Sequence, residues 1–407
     1  MSILSIFNGT YCFGVEIANQ LADKLQYTLV KEDDLLVEVS NQYNISVKKL
    51  KSALYEDPSV FNEFTHEKER ALTYIKFEIA KLIQRDSIVL QGFSAHLIPK
   101  ELSSVLRVCI ISDIEHRIKV AAKIQSGKKI NHSDILKEDA PLNNLTTHLF
   151  SKKLWDSQLY DIMIPIDKRL EAEAINIVME NIQKDVVKTS EKSKLEMEDF
   201  LTAALTQKTL SQNGHEVNVT CKDMVITITI EKYVLRLKHL EDELRKIAMT
   251  VKGVRGVEIK AGKNFRSDGS VYKKFDSLLP SKVLLVDDER DFAQTLSKRL
   301  QLRDVGSVAV FGGEEALSFI KQDEPEVIVL DLSMPGIDGL EVLKRVKSEN
   351  PDIEVIVLTG HGTDKDKAIA MELGAFRYLQ KPVEIDMLTQ IMKEAYNKIK
   401  DKKAQVA

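Results

Sequence analysis

Hydrophobic positions along the chain fall into three stretches of different rhythm. From residue 1 to about 187, short apolar runs (3–7, 88–90, 105–111) alternate with stretches of helical spacing such as 15–25. Continuous apolar strands alternating with helices predict an α/β domain with a mostly parallel sheet. From 195 to 262 the rhythm changes. Helical spacing over 195–210 gives way to Val217-Asn218-Val219-Thr220 and then to Val225-Ile226-Thr227-Ile228-Thr229-Ile230. Both runs alternate with period 2, the signature of half-buried strands. A helix over about 235–251 and a strand over 254–259 complete an α-β-β-α-β unit, a small α+β domain. From 281 to 399 five apolar runs (283–286, 308–311, 327–330, 355–358, 376–379) are separated by helical stretches. That is a (βα)5 pattern, which predicts a parallel sheet covered on both faces. Polar stretches over 188–194 and 262–280 read as linkers, the second carrying Asn264, Ser267, Asp268, Gly269 and Ser270. The residues from 400 on read as a charged, frayed tail.

Composition narrows the picture. A chain of 407 residues fits two or three domains with real cores. Lys+Arg 58 against Asp+Glu 62 gives a net charge of −4, which excludes a chain-wide basic nucleic-acid binder. Aromatics at 6% argue against stacking platforms for single-stranded nucleic acid. Cys12, Cys109 and Cys221 are odd in number and far apart, so neither a disulfide framework nor a zinc knuckle is expected. No apolar run approaches the ~20 residues that span a bilayer. The first residues read as a strand and not as a signal peptide. The expected location is the cytoplasm.

The C-terminal stretch carries the densest chemistry. Its first strand ends in Asp287-Asp288, its third in Asp331, its fourth in Thr359-Gly360 and its fifth in Gln380-Lys381-Pro382. In an open parallel sheet the carboxyl ends of the strands face one crevice. Three carboxylates, a hydroxyl and an ammonium therefore converge on one pocket. Three close carboxylates repel, and an all-oxygen set favours Mg2+ as the neutralising ion. One carboxylate can then act as a nucleophile toward phosphorus, with cationic charge from the metal and Lys381 on the transferred group. Asp338 and Asp352 read as turn residues, and His361 as a loop residue near the pocket.

The motifs VLLVDDE, VIVLDLSMPGIDG, VIVLTGHG and FRYLQKP resemble, in order and spacing, the response-regulator receiver domain of two-component systems. The resemblance spans 281–399 and implies a flavodoxin-like receiver fold. It implies that Asp331 is the phosphoacceptor and that Asp287, Asp288, Asp331 and the Ser333 backbone carbonyl hold Mg2+. It further implies that Thr359 is the switch hydroxyl, that Lys381 bonds the phosphoryl oxygen, that Tyr378 is the aromatic switch residue, and that Lys381-Pro382 is a cis bond.

At the other end, Gly9-Thr10-Tyr11-Cys12-Phe13-Gly14-Val15-Glu16 follows a strand and opens a helix, the context of a phosphate-binding loop. Loop amides over 9–14 can cradle an anion, which makes Gly9 and Gly14 candidate nucleotide-binding positions. The Lys and Ser/Thr of a working loop are replaced by Val15 and Glu16, and Glu16 puts negative charge where an anion should sit. Over 1–187 the order of Gln91-Gly92-Phe93, Arg107, Arg117, Asp139 and Leu159-Tyr160-Asp161-Ile162 resembles the cytidylate-kinase-like branch of the P-loop nucleoside monophosphate kinases. The family's arginine after the strand-end glycine is Phe93 here, and none follows Asp139 in Ala140-Pro141-Leu142-Asn143-Asn144. Phosphoryl transfer needs cationic charge, so a degenerate, non-catalytic domain is expected. Lys123, Lys128, Lys129 and His132 read as a solvated helix end.

Over 195–262 the run Val225–Ile230 and the turn Gly253-Val254-Arg255-Gly256-Val257 resemble a BON-like domain. Lys232, Arg236, Lys238 and His239 read as a solvated basic helix start. The expected function is a two-component response regulator with a sensor histidine kinase as phosphodonor and an unknown downstream protein as target. The alternative is a nucleoside monophosphate kinase gated by receiver phosphorylation. No DNA-binding output domain is recognisable.

Overall fold

The structure, a computed structural model, describes residues 2–125, 129–167, 171–234, 236–262, 265, 272 and 279–406. Lys128, and Asn264, Ser267, Asp268, Gly269 and Ser270 of the second predicted linker, lie outside the described residues. The chain divides into two compact units. One comprises Met1–Pro58 and Glu67–Tyr272, the other Ser59–His66 and Lys273–Ala407.

The elements from the N-terminus are β1 (Ile3–Asn8), α1 (Gly14–Leu25), β2 (Thr28–Lys31), α2 (Glu32–Tyr43), α3 (Val47–Tyr55), α4 (Asn62–Thr65), α5 (Glu67–Leu82), β3 (Ile88–Gln91), β4 (Val105–Ile111), α6 (Ile114–Ile124), α7 (His132–Phe150), β5 (Ile162–Pro165) and α8 (Glu171–Ile182). All but α4 belong to the first unit. The five strands form a parallel sheet in the order β2-β3-β1-β4-β5. β1 serves both faces, as the continuous apolar run predicts. Ile3 and Phe7 enter a core shared with α2, α3 and α5, while Leu4 and Ile6 enter another with α1 and α8.

The next elements are α9 (Glu191–Gln212), β6 (Asn218–Lys222), β7 (Val225–Ile230), α10 (Leu237–Ala248) and β8 (Gly256–Ala261). β6 and β7 pair antiparallel, β7 and β8 parallel, so the expected α-β-β-α-β order is observed. The predicted linker over 188–194 is corrected. Ser190 caps α9 through its side chain and exchanges a capping box with Ser193, so 191–194 are helical. α9 is apolar on two sides. Met197, Phe200 and Ala204 join the core of the large sheet, and Ala203 and Leu210 join that of the small one.

The second unit holds β9 (Val283–Val286), α11 (Arg290–Gln301), β10 (Ser307–Val310), α12 (Gly313–Gln322), β11 (Val327–Leu330), α13 (Gly339–Glu349), β12 (Glu354–Thr359), α14 (Asp364–Glu372), β13 (Arg377–Gln380) and α15 (Ile385–Val406). Its sheet is parallel in the order β10-β9-β11-β12-β13, the flavodoxin-like arrangement. Leu284 and Val286 face a core with α12 and α13, and Val283 and Leu285 face one with α11 and α15. The segment Ser59–His66 contributes Phe61, fully buried and edge-on to Phe319 at 5.6 Å. The predicted frayed tail is corrected too, because α15 continues to Val406.

Candidate functional site: an acidic pocket at the strand ends

Parallel strands that end together bring their next residues together. Asp287 follows β9, Asp331 follows β11, Thr359 ends β12 and Lys381 follows β13. One carboxylate oxygen from each of Asp287, Asp288 and Asp331 lies within 4.8 Å of the others. Asp287 and Asp331 are buried, and Asp288 is half-buried. Lys381 Nζ closes the cluster, 2.7 Å from Asp287 Oδ2 and 3.3 Å from Asp331 Oδ2. It also reaches Glu289 Oε1 at 2.9 Å.

Backbone amides orient the carboxylates. Glu289 N–H donates to Asp287 Oδ1 at 3.0 Å and Ser333 N–H to Asp331 Oδ1 at 3.3 Å. Burial pushes the Asp287 carboxyl above its ordinary pKa and Asp331 adds to the shift, while Lys381 partly offsets it. Burial works against the Lys381 charge as well. Its hydrogen bonds to Asp287 and Glu289 and the nearby carboxylates outweigh that and raise its pKa. One ammonium faces four carboxylates, so the pocket carries surplus negative charge. A hard divalent cation fits this all-oxygen set, and Mg2+ fits with few protein ligands because it keeps several waters.

Thr359 is fully buried, and the His361 N–H points to its Oγ1 at 3.5 Å. Tyr378 stands on β13 with its Oη buried and without a hydrogen-bond partner. Burial, followed by the charges of Asp366, Asp331 and Asp364, raises its pKa. A Cβ on Gly362 would sit 1.6 Å from Tyr378 Oη, so the ring fits there only against a glycine. The Lys381-Pro382 bond is cis. Asp287, Asp331, Thr359 and Lys381 thus lie at the carboxyl ends of neighbouring strands with Asp288 beside them, whereas Asp352 precedes β12, at the opposite end. Sequence reading passed over Glu289 and Gly362. Glu289 directly follows the acidic pair and was available as a third acid, whereas the need for Gly362 appears only with the Tyr378 ring in place.

The phosphate-loop candidate in the first unit is organised differently. Gly14 lets α1 start against β1, since a Cβ there would meet Asn8 side-chain atoms at 2.2–2.3 Å. A Cβ on Gly9 would meet Trp155 at 3.0 Å. Arg117 is drawn into the loop. Its Nε donates to the Thr10 carbonyl at 2.9 Å, and its Nη atoms hold both oxygens of Asp139 at 2.8 and 2.6 Å. Thr10 Oγ1 also bonds Arg117 and Asp139. Arg107 does not join them. It is buried, donating to the Val105 and Pro99 carbonyls with Asp161 at 3.7 Å. Phe93 is a core residue packed on Phe7 at 5.6 Å.

Comparison with known proteins agrees with both ends of the chain. Residues 283–393 match the family model of the response regulator receiver domain, and residues 3–168 match that of the cytidylate kinase-like family. The response regulator MprA of Mycolicibacterium vanbaalenii is 33% identical over 115 residues, which is 28% of this chain and 50% of the relative. MprA of Mycobacterium bovis is 32% identical over 123 residues, 30% of this chain and 54% of the relative. The chain therefore spans about half the length of these curated relatives. Among solved structures, the Francisella response regulator 1452 receiver domain is 32% identical, covering 29% of this chain and 98% of that one, with a TM-score of 0.28. The receiver domain of NtrX from Brucella abortus is 28% identical, covering 28% and 98%, with a TM-score of 0.27. The chain carries a receiver domain of the two-component type at its C-terminal end and a cytidylate-kinase-like domain at its N-terminal end. None of the described helices is long and apolar enough to cross a membrane.

Proposed function

We propose that the chain is a two-component response regulator whose receiver is phosphorylated on Asp331 by a partner histidine kinase. The observation that carries this reading is the meeting of Asp287, Asp288 and Asp331 with Lys381 at one set of strand ends. Asp287, Asp288, Asp331 and the Ser333 carbonyl would hold Mg2+. The ion, when bound, supplies positive charge to the phosphoryl oxygens. An Asp331 carboxylate oxygen attacks the phosphorus of a phosphohistidine. The P–N bond breaks, and its electron pair stays with the imidazole nitrogen. Lys381 keeps a positive charge beside the new phosphoryl group, and Thr359 donates a hydrogen bond to it. Moving Thr359 inward changes the space next to Tyr378, a local charge event that biases a two-state element. The β12–β13 side would then present a changed face to a downstream protein. The parts in this reading are the kinase-like domain over 1–187, the α+β domain over 195–262 and the receiver over 281–399, acting in the cytoplasm.

The kinase-like domain serves here as a non-catalytic module. Val15 stands in the place of the loop lysine, and the Arg117 guanidinium is already neutralised by Asp139. Neither gives charge to a transferred phosphoryl group. The alternative, a nucleotide kinase gated by the receiver, is tested on the full chain with ATP, CMP and Mg2+, with and without acetyl phosphate. The reading expects an Asp331-dependent phosphoprotein on phosphate-affinity gels and no nucleotide turnover. Turnover that rises with acetyl phosphate would replace it with the gated enzyme.

A further inference from the structure

The first unit contains a cavity of about 200 Å3 that is separate from the phosphate loop. The loop follows the end of β1. The cavity lies instead where Arg107, near the start of β4, pairs in register with Ser5 of β1. Its walls include the rings of Phe7, His96, Phe150 and Tyr160. His96 Nδ1 donates to the Phe93 carbonyl at 2.8 Å, and its Nε2 lies 3.0 Å from Tyr160 Oη. Burial lowers its pKa to about 4, so it is neutral near pH 7.

The charges on the lining are all of one sign. Arg107, Lys100 and Lys152 line the cavity, and among the described residues no carboxylate does. Arg107 is already paired with Asp161. The two lysines are not paired with an acid by any contact in the described structure. Both ammonium groups converge on Gln158, Lys100 on its main-chain carbonyl at 2.7 Å and Lys152 on its Oε1. Two like charges held on one neutral residue form a place that an anion would stabilise. The size sets a second limit. A cavity of about 150 Å3 accepts benzene, so this volume fits a single aromatic ring and a small charged group.

We propose that the cavity binds a small aromatic carboxylate, with its ring among Phe7, His96, Phe150 and Tyr160 and its carboxylate on Lys100 and Lys152. The site makes the kinase-like domain a small-molecule-binding module, and it does not depend on phosphorylation of the receiver. The probe is benzoate, with neutral benzamide as the control, followed by ligand-observed NMR and calorimetry on the full chain. Benzoate is expected to bind more tightly than benzamide and to weaken as salt rises. The double substitution Lys100→Gln/Lys152→Gln, at the rim and clear of the core, should weaken benzoate by about tenfold and leave benzamide unchanged. Filling the cavity with Ala95→Leu should remove both, with the unfolding midpoint checked to show that the fold persists. Absence of benzoate binding at about 10 mM, beyond the weak millimolar range, would overturn the proposal. So would equal binding of benzamide, or benzoate binding unaffected by the lysine substitutions, because either result reduces the site to an apolar hole.

Discussion

Tyr378 Oη and a side chain at position 362 compete for one space. With glycine there, the hydroxyl is buried beside the β12–α14 loop and lacks a hydrogen-bond partner. An orphaned buried hydroxyl costs about 1–3 kcal/mol, so little is needed to turn the ring out. Gly362→Ala is therefore expected to expel the ring and expose the hydroxyl. Peptide mapping after tetranitromethane treatment should show Tyr378 nitrated several times faster than in the parent, and an unchanged rate would contradict the placement. A second residue-scale expectation concerns His96. Its folded pKa, about 4, lies below its unfolded value of about 6.5. The unfolded chain then binds the extra proton between those values, so stability is full above about pH 6.5 and declines as pH falls toward 4. His96→Phe should flatten that part of the acid-unfolding profile in chemical denaturation; an unaltered slope would show that other groups set it. At this scale the sequence was most readable where chemistry demands a residue type, as at Asp331 and Lys381. It was least readable where a residue is defined by a neighbour's shape, as at Gly362. Arg107 shows the same limit from the other side, because its position fitted a family pattern while its guanidinium serves the Val105 and Pro99 carbonyls.

Between elements, α1 approaches β1 closely. Gly14 begins the helix against the Asn8 side chain, and any Cβ would overlap it. Gly14→Ala should destabilise the first unit by about 1–3 kcal/mol, the usual cost of overpacking. Adding Asn8→Gly removes the opposing atoms, so the pair should lose less than the sum of the single changes in urea unfolding. Additive losses would mean that the close approach is not what selects glycine. The alternation of apolar runs made β1, β4 and the receiver strands legible, because strands buried on both faces are continuously apolar. β2 was not legible. Thr28 and Lys31 at its ends are exposed, and its short edge position gives no clean period. The stretch 188–194 was misread for a different reason. Its polar composition matches a linker, yet Ser190 and Ser193 close a helix cap that composition does not express.

At the scale of the whole molecule, two anion-related sites have opposite balances. The phosphate loop has an arginine already satisfied by an aspartate, and the receiver pocket has three carboxylates on one lysine and a fourth, Asp288, in the same acidic cluster. The surplus negative charge of the second makes it the one that gains from a divalent cation. Mg2+ at about a hundred times its dissociation constant should stabilise the receiver by about 2.7 kcal/mol. Calorimetry of the full chain should show Tm rising with Mg2+, and Asp288→Asn should reduce that rise; an equal rise in the variant would place the ion elsewhere. The central claim is that Asp331 becomes esterified to phosphorus. Intact-mass spectrometry of the chain after incubation with acetyl phosphate and Mg2+ tests it most directly. The expected result is a gain of about 80 Da, one phosphoryl group, that is absent from Asp331→Asn. No gain in the parent, or the same gain in Asp331→Asn, would contradict it.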